Sequence, residues 1–214
     1  MKNLFISILG GFFLFSCAKD DSYSLRLLNA NSESESWLLH GRTYDESRFS
    51  PLADINDSNV SELGLSWSFE TGTNRGHETT PIVVDGMMFI TAPWSIVFAL
   101  DARTGREIWS FDPEADKAWA RNACCDVVNR GVAVWGDHVV FATIDGRLIS
   151  LDKESGEVNW DVLTIDKSKP YTITGAPRII DGKIIIGNGG GEFGVRGYIS
   201  AYDVQDGSML WRFF

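Results

Sequence analysis

The sequence predicts an all-β fold, chiefly because one pattern repeats along it. Three segments carry an aspartate and, eight positions later, a tryptophan: ALDARTGREIW at 99–109, SLDKESGEVNW at 150–160 and AYDVQDGSMLW at 201–211. The aspartates stand at 101, 152 and 203, so the period is 51 residues twice in succession. Each copy follows a hairpin-like run of β-prone residues. Two hairpins per repeat of about 50 residues are typical of the four-stranded blade of a β-propeller.

The turns and the tryptophans support this prediction separately. Asp85-Gly86, Gly136-Asp137 and Asp181-Gly182 stand where tight hairpin turns are expected. The aspartate of each repeat falls in a turn and the tryptophan on the neighbouring strand, where the indole can dock between successive blades and bury a large apolar area. A weaker copy, LGLSWSFETG around Trp67, indicates the edge of an earlier blade.

The predicted propeller is incomplete in this chain. Propellers have about four to eight blades, whereas residues 37–214 supply three full repeats and part of another. We therefore expect the chain to be the N-terminal part of a longer protein. One short helix is expected in INDSNVSELGLSW, with Asn59 and Glu62 as a capping pair and Gly64 as the stop.

The N-terminus has the composition of an export signal. Residues 1–16 place Lys2 before an apolar run without acidic residues, which is typical of a secretory signal peptide and too short to span a bilayer. The following LFSCAK resembles the site at which bacterial lipoproteins are cleaved and acylated, which would put a lipid on Cys17. A plain signal peptide with an incidental cysteine is the alternative, and both predict export. The polar composition of residues 17–36 then predicts a flexible tether.

The charge of the chain excludes some partners. The formal net charge is −10 at neutral pH. A surface this acidic argues against binding nucleic acid and against polybasic adhesion to membranes.

Two of the three cysteines, Cys124 and Cys125, are adjacent. If Cys17 is acylated, these two are the remaining thiols, and in an oxidising compartment they should pair with each other. A bridge between neighbours is a strained small ring, because consecutive Cα atoms lie about 3.8 Å apart and ordinary disulfides need about 4.4 to 6.8 Å. Such strain suggests a function. The alternative is two cysteines that never bond.

The stretches between the repeats resemble one family, the pyrroloquinoline-quinone (PQQ) dependent alcohol dehydrogenases. The resemblance covers most of residues 37–214 and rests on RTYDESRFSPLADIN, HETTPIVVDGMMF, CCDVVNRGVAVW, TITGAPRIIDGKIIIGNGGGEFGVRGYISAYD and the tryptophan repeat. Members of this family are periplasmic eight-bladed propellers that oxidise alcohols. The adjacent cysteines, with an arginine shortly after them and the glycine-glutamate stretch downstream, are its most specific features.

The resemblance implies a role for each of these residues. Cys124 and Cys125 would form a disulfide ring that packs against the planar quinone. Arg130 would pair with a carboxylate of the cofactor, which suits a guanidinium, and Glu78 would approach the polar edge of the cofactor. The hydroxyl of Thr174 would contact the quinone. The alternatives are that Arg130 is a surface ion-pair partner and Glu78 a solvated hairpin residue.

The stretch IIIGNGGGEFGVRG would supply the metal site. Gly189, Gly190 and Gly191 would let the backbone approach the cofactor and its metal, and the third replaces an alanine that is usual in the family. A phosphate-binding loop is not supported, because no helix-like segment follows. Glu192 matches a carboxylate ligand of the metal, calcium in some members and a lanthanide in others; its alternative is a structural carboxylate paired with Arg196. The family's asparagine ligand and catalytic aspartate match positions beyond Phe214.

The resemblance also implies the activity. The expected substrate is an alcohol, whose hydride passes to metal-bound PQQ and whose electrons continue to a cytochrome c-type acceptor. A different class of protein is the alternative: a non-catalytic propeller lipoprotein that acts as a scaffold in outer-membrane assembly. That reading explains Cys17 but gives no purpose to Cys124, Cys125 and Arg130. A third possibility is a degenerate member that binds PQQ as a sensor.

Overall fold

The computed structural model describes the backbone of residues 15–214 and the side chains of residues 22–214. Within this range the chain is nearly all β, with three four-stranded antiparallel sheets in which strands adjacent in sequence pair with each other. The predicted blades are confirmed. The first contains β1 (Ile82–Val84), β2 (Met87–Thr91), β3 (Val97–Asp101) and β4 (Glu107–Phe111); the second β5 (Ala133–Trp135), β6 (His138–Ala142), β7 (Arg147–Asp152) and β8 (Val158–Leu163); the third β9 (Arg178–Ile180), β10 (Lys183–Gly187), β11 (Ile199–Asp203) and β12 (Met209–Phe213).

The tight turns lie where the sequence predicts them. Asp85 and Gly86 both have positive φ (53° and 77°), as a type I′ turn requires. Asp181 and Gly182 repeat this conformation with φ of 50° and 68°. In the second blade Gly136 alone of its turn pair has positive φ, 59°. The right-handed twist of the strands favours these turns, so the register of each hairpin follows from its turn residues.

Trp109 and Trp160 each join their blade to the next, as predicted. Trp109 donates its indole N–H to the carbonyl of Lys153 at 2.9 Å, and Trp160 donates to the carbonyl of Val204 at 3.0 Å. Trp67 packs against the corresponding turn of the first blade, at Gly105. Its weaker repeat therefore docks in the same way. The indoles of Trp109 and Trp160 thus combine buried apolar area with a satisfied N–H group.

A glycine beneath each docked indole makes room for the ring, and this gives a stability prediction. Gly156 has a φ of +74°, and a Cβ atom there would lie 2.7 Å from the Trp109 ring. Replacing Gly156 by alanine should therefore combine backbone strain with overpacking, and we expect a loss of about 3 kcal/mol in the free energy of unfolding. Urea unfolding of the full-length protein measures this loss.

The matched control is Gly136→Ala. Gly136 also has positive φ, but a Cβ atom there would meet nothing within 4 Å. This variant should lose only the strain component, about 1 kcal/mol. Equal losses for the two variants would show that the contact with Trp109 contributes nothing.

The strands run between two faces of the propeller. The turns β1–β2 and β3–β4, with their counterparts in the other blades, form one face, which we call the hairpin face. The opposite face, the loop face, contains the connections at 92–96, 112–132, 143–146, 164–177 and 188–198. Strands β5 and β9 contact each other, so the first strands of the blades form the inner edge. Every long connection belongs to the loop face.

The N-terminal segment differs from the predicted flexible tether over 17–36. A helix, α1, spans Phe15–Leu28, and a short 3₁₀ turn follows at Ala30–Ser32. Leu27 and Ala30 are buried in the main core, and Trp37 pairs with Val83 on the inner edge of β1. The few apolar side chains of this polar stretch find partners on the propeller, so the described part of the segment is docked.

Three further findings concern this region and the predicted short helix. The predicted signal peptide, residues 1–16, lies outside the described residues except for its last two, and the side chain of Cys17 is not described either. In the part of the chain that is described, no helix is both long and apolar enough to cross a membrane. The short helix is a single 3₁₀ turn at Val60–Glu62. The Asn59 side chain does not cap it, because it accepts from the N–H of Asn56 instead.

Candidate functional site

The predicted site residues share the loop face. Glu78 lies in the segment that leads into β1, and Arg130 lies with the two cysteines in the connection between β4 and β5. Thr174 lies between β8 and β9, and Glu192 lies in a 3₁₀ turn, Gly191–Phe193, between β10 and β11. Loops of three successive blades thus present these side chains on one face.

Arg130 is the centre of a polar row. One guanidinium nitrogen contacts the carboxylate of Glu78 at 2.6 Å, and another donates to the hydroxyl of Thr174, also at 2.6 Å. Arg130 and Glu78 are each about 40% exposed, so the row is open to a ligand from the loop face. The Thr174 hydroxyl accepts from Arg130, which leaves its own proton to donate elsewhere.

The backbone fixes this row in place. The N–H of Arg130 donates to the carbonyl of Thr174 at 3.0 Å, and the carbonyl of Arg130 accepts from the N–H of Thr80 at 3.2 Å. The preceding residue, Asn129, is 2% exposed and donates to the carbonyl of Ala142 at 2.8 Å. Sequence reasoning missed Asn129. Its position inside CCDVVNR was the available signal for a buried anchor.

The two cysteines lie at the exposed end of an anchored loop. Before them, a 3₁₀ turn at Lys117–Asn122 begins with Asp116 as a side-chain cap, and the buried Trp119 donates to the carbonyl of Tyr171 at 2.7 Å. Cys124 and Cys125 are exposed, and the structure contains both as free thiols with their Sγ atoms 2.7 Å apart. The loop holds the thiols together on the surface.

A second anchor follows the cysteines and was not predicted from the sequence. Asp126 has a φ of +68°, and its carboxylate pairs with the guanidinium of Arg75. The next carbonyl, that of Val127, accepts from the N–H of Trp94 at 2.9 Å. Arg75 also lies 5.7 Å from the centre of the Trp94 ring. The chain therefore turns sharply after the cysteine pair, and two neighbouring segments hold the turn.

Glu192 lies beside the cysteine pair. The Cys125 thiol, then local desolvation and then the Glu192 carboxylate raise the pKa of the Cys124 thiol to about 11. A negative charge close to a thiol disfavours the thiolate. The structure thus brings the predicted metal ligand and the predicted cysteine platform together, although Glu192 lies 67 positions after Cys125 in the sequence.

This proximity gives a chemical prediction for the reduced apoprotein. Because only the thiolate reacts, alkylation of Cys124 by iodoacetamide should be slow at pH 8 and should rise with pH until the pKa near 11 is reached. Glu192→Gln removes a nearby negative charge, so it should lower the pKa and speed alkylation at pH 8 several-fold. Peptide mass spectrometry measures the rate. Glu78→Gln is the control; equal rates in the two variants would contradict the proximity.

The glycine stretch is needed first for its own packing. A Cβ atom at Gly189 would lie 2.7 Å from the hydroxyl oxygen of Thr172, and one at Gly190 would lie 2.4 Å from the carbonyl oxygen of Pro170. Gly190 also has a φ of +101°. At Gly191 a Cβ atom would meet nothing within 4 Å. The first two glycines therefore let two loops approach each other, and only Gly191 faces open space.

An open groove of about 470 Å³ adjoins the polar row. Its walls include Arg130, Thr174 and Gly189, with apolar side chains of the third blade behind them. A groove with a few convergent polar groups above an apolar wall is typical of a ligand site.

The described residues offer few side chains that could bind a metal ion together. No group of three or more His, Cys, Asp or Glu side chains there is arranged to hold a metal ion. Arg196, the alternative partner of Glu192, has its guanidinium 5.6 Å from the centre of the Phe214 ring. Glu192 could supply one hard oxygen ligand to a metal that other residues complete.

Comparison with known proteins decides the family. Residues 37–214 match the family described as "Glucose/ethanol/alcohol dehydrogenase, beta-propeller domain", the PQQ propellers. The chain belongs to this family. The recognition drawn from the cysteine, glycine and tryptophan motifs is therefore confirmed, and so is the propeller fold.

Curated relatives extend well beyond this chain. A quinohemoprotein alcohol dehydrogenase of Pseudomonas putida, ADH-IIG, is 54% identical over 190 residues, which are 88% of this chain and 26% of the relative. The 1-butanol dehydrogenase (cytochrome c) of Thauera butanivorans is 56% identical over 168 residues, 78% of this chain and 24% of the relative. The chain thus spans about a quarter of the length of these PQQ dehydrogenases.

Solved structures agree with this assignment. That of the Pseudomonas putida ADH-IIG enzyme superposes with a TM-score of 0.86 at 54% identity, covering 88% of this chain and 28% of that one. A europium-containing methanol dehydrogenase superposes with a TM-score of 0.83 at 39% identity, covering 87% of this chain and 33% of that one. The three blades therefore have the arrangement found in PQQ dehydrogenases.

Proposed function

We propose that this chain is the N-terminal part of a PQQ-dependent dehydrogenase that oxidises an alcohol, and that it supplies one half of the cofactor site. The observation that carries the proposal is the arrangement of side chains on the loop face. A polar row of Glu78, Arg130 and Thr174 lies on the same face as an exposed cysteine pair with a carboxylate at its side. The relatives named as alcohol dehydrogenases support the same activity for the whole protein.

The residues present fit a planar quinone that carries carboxylates. The cysteine pair is exposed and its sulfur atoms are in contact, so it offers a small flat surface. Oxidation would shorten their separation from 2.7 Å to about 2.05 Å. Open space at Gly191 leaves room beside Glu192. The half-exposed guanidinium of Arg130 can turn from Glu78 to a carboxylate of the ligand.

In the proposed site each side chain has a separate task. Cys124 and Cys125, joined as a disulfide in the exported protein, support one face of the ring. Arg130 binds a carboxylate of the cofactor, while Glu78 keeps the guanidinium oriented. Thr174 donates its hydroxyl proton to an oxygen of the ligand. When bound, the quinone supplies the acceptor for the hydride of the alcohol.

The proposed metal is calcium or a lanthanide. The oxygen atoms of Glu192 suit either hard cation, and the europium-containing neighbour shows that a member of this fold accepts a lanthanide. Glu192 would hold the ion against the site, and the ion would act there as a Lewis acid.

The proposed location is the periplasm. Residues 1–16 serve as the export signal, and a lipid on Cys17 anchors the mature protein to a membrane. The proposed electron acceptor is a cytochrome c, and one relative is named as linked to cytochrome c. An acidic surface of net charge −10 suits a basic partner.

The test uses the full-length protein, purified without cofactor. We expect dye-linked oxidation of primary alcohols only after PQQ and either calcium or a lanthanide are both added. Glucose serves as the competing substrate, because the family description also names it.

The alternatives predict other results. A scaffold lipoprotein would neither bind PQQ nor oxidise alcohols, and either failure would remove the enzyme from consideration. A sensor would bind PQQ, measured by quenching of tryptophan fluorescence, without turnover of any alcohol. Faster turnover of glucose than of every alcohol would contradict the substrate class.

A further inference from the structure

Helix α1 lies across the hairpin face and contacts all three blades. The Tyr23 ring meets the Trp135 ring at the end of β5, with 5.2 Å between the ring centres. Arg26 donates to the carboxylate of Asp85 in the β1–β2 turn at 2.8 Å. The hydroxyl of Ser24 contacts the carboxylate of Asp181 in the β9–β10 turn at 3.5 Å. These turns belong to the inner strands, so α1 covers the inner part of this face.

Apolar packing and ion pairs together hold helix α1 on the hairpin face. Leu27 is 1% exposed, and Arg26 binds the carboxylate of Glu33 at 2.8 Å as well as Asp85. Lys153, in the β7–β8 turn, reaches the same Asp85 carboxylate at 2.9 Å. Partly buried, charge-assisted contacts of this kind are stronger than isolated surface pairs. The helix is therefore fixed to the propeller from Tyr23 onwards.

The stretch from Cys17 to Ser22 is too short to carry Cys17 from the hairpin face to the loop face. Cys17 is five residues before Ser22, which gives at most about 18 Å of extended chain or about 8 Å of helix. A six-residue strand such as β7 is about 20 Å long, and four strands side by side are about 14 Å wide. A path from the inner turns around the rim to the loop face is therefore more than about 30 Å long. Even an unwound Cys17 stays on the side of the hairpin face.

We infer that a lipid on Cys17 turns the hairpin face towards the bilayer and the loop face, with the cofactor site, towards the aqueous compartment. This inference rests on the proposed lipid anchor and adds the orientation of the enzyme. The cofactor site is then open to a water-borne electron acceptor. The membrane lies on the opposite side of the blades.

The charges on the hairpin face predict how the bilayer is held. Carboxylates stand at its turns, and hydrogen bonds from neighbouring Thr, Ser or Lys groups keep their pKa values below the usual range; they include Asp101, Asp152, Asp181 and Asp206. These groups are ionised at neutral pH and do not attract anionic lipids. The acyl chain must hold the protein. Vesicle binding should then not increase with the fraction of anionic lipid.

The orientation can be measured by energy transfer to the membrane. Full-length acylated protein is bound to phosphatidylethanolamine vesicles whose headgroups carry an acceptor dye. A donor dye is attached through an unnatural amino acid at Glu154 on the hairpin face or at Lys169 on the loop face; both side chains are well exposed. Because the two faces are about 20 Å apart, transfer should be at least about twofold higher from position 154.

The outcomes separate the anchor from the orientation. Protein that fails to bind vesicles, like the Cys17→Ser control, overturns the anchor and with it the orientation. Protein that binds but transfers equally from both positions, or more from position 169, overturns the orientation alone. Tyr23→Ala with Arg26→Ala should release α1, and binding should persist while the twofold difference is lost. A difference that survives this double change would show that α1 does not orient the propeller.

Discussion

Replacing Cys124 by serine is expected to lower alcohol oxidation by the full-length protein on the order of 100-fold, because a misplaced cofactor loses the alignment that hydride transfer needs. A serine side chain is smaller than cysteine and cannot form the disulfide ring, so the flat support at the loop face is lost. The loop itself should remain folded, since the capped 3₁₀ turn and the Arg75–Asp126 pair hold its two ends. Steady-state rates with saturating PQQ and metal measure the loss.

Two controls separate the platform from a general loss of structure. Far-ultraviolet circular dichroism of the Cys124→Ser variant should match that of the parent, because the side chain is exposed and no strand contains it. Cys125→Ser should show the same loss, since the ring needs both sulfur atoms. Reduction of the parent with a strong dithiol should reproduce part of it. Full activity in either variant would exclude the platform role.

The fold was largely predictable because its repeats are local. A period of 51 residues, the turn pairs and the tryptophans each report on contacts within a blade or between neighbouring blades. The N-terminal helix was not predictable in this way. Its sequence is polar, and Leu27 becomes buried and Tyr23 partly buried only because the hairpin face offers partners. Tertiary packing therefore decided the structure where local propensity was weak.

For the candidate site, the sequence supplied residue-level predictions only through the family motifs. The motifs predicted Glu78, Arg130 and Thr174 for one site, and the structure adds that Arg130 contacts both of the others. Arg75 and Asp126 escaped the sequence analysis, because a surface ion pair between residues 51 positions apart leaves no pattern of its own. The sequence analysis assigned Gly189 and Gly190 to close approach of the cofactor. In the structure they allow two loops to pack against each other, which only the coordinates of both loops reveal.

Replacing Glu192 by glutamine should raise the metal concentration needed for half-maximal reconstitution on the order of 100-fold. The amide keeps the size and one oxygen atom of the side chain but loses the negative charge that binds a hard cation, and changes that touch only the partners of a ligand already cost about 10- to 100-fold in metal affinity. The variant should keep its fold, since Glu192 is exposed in a short turn between two glycines. Calcium titration of activity and terbium luminescence of the apoprotein provide two independent measurements.

The control for this prediction is Asp166→Asn, which removes an exposed carboxylate from the same loop face. It should leave both metal titrations unchanged, so a general effect of net charge would be seen in it as well. An identical requirement in the parent and in Glu192→Gln would exclude Glu192 as a ligand, whatever the activity of the variant. A raised requirement for terbium and calcium alike would show that the carboxylate binds hard cations without selecting between them. The choice between calcium and a lanthanide would then depend on the ligands that complete the site.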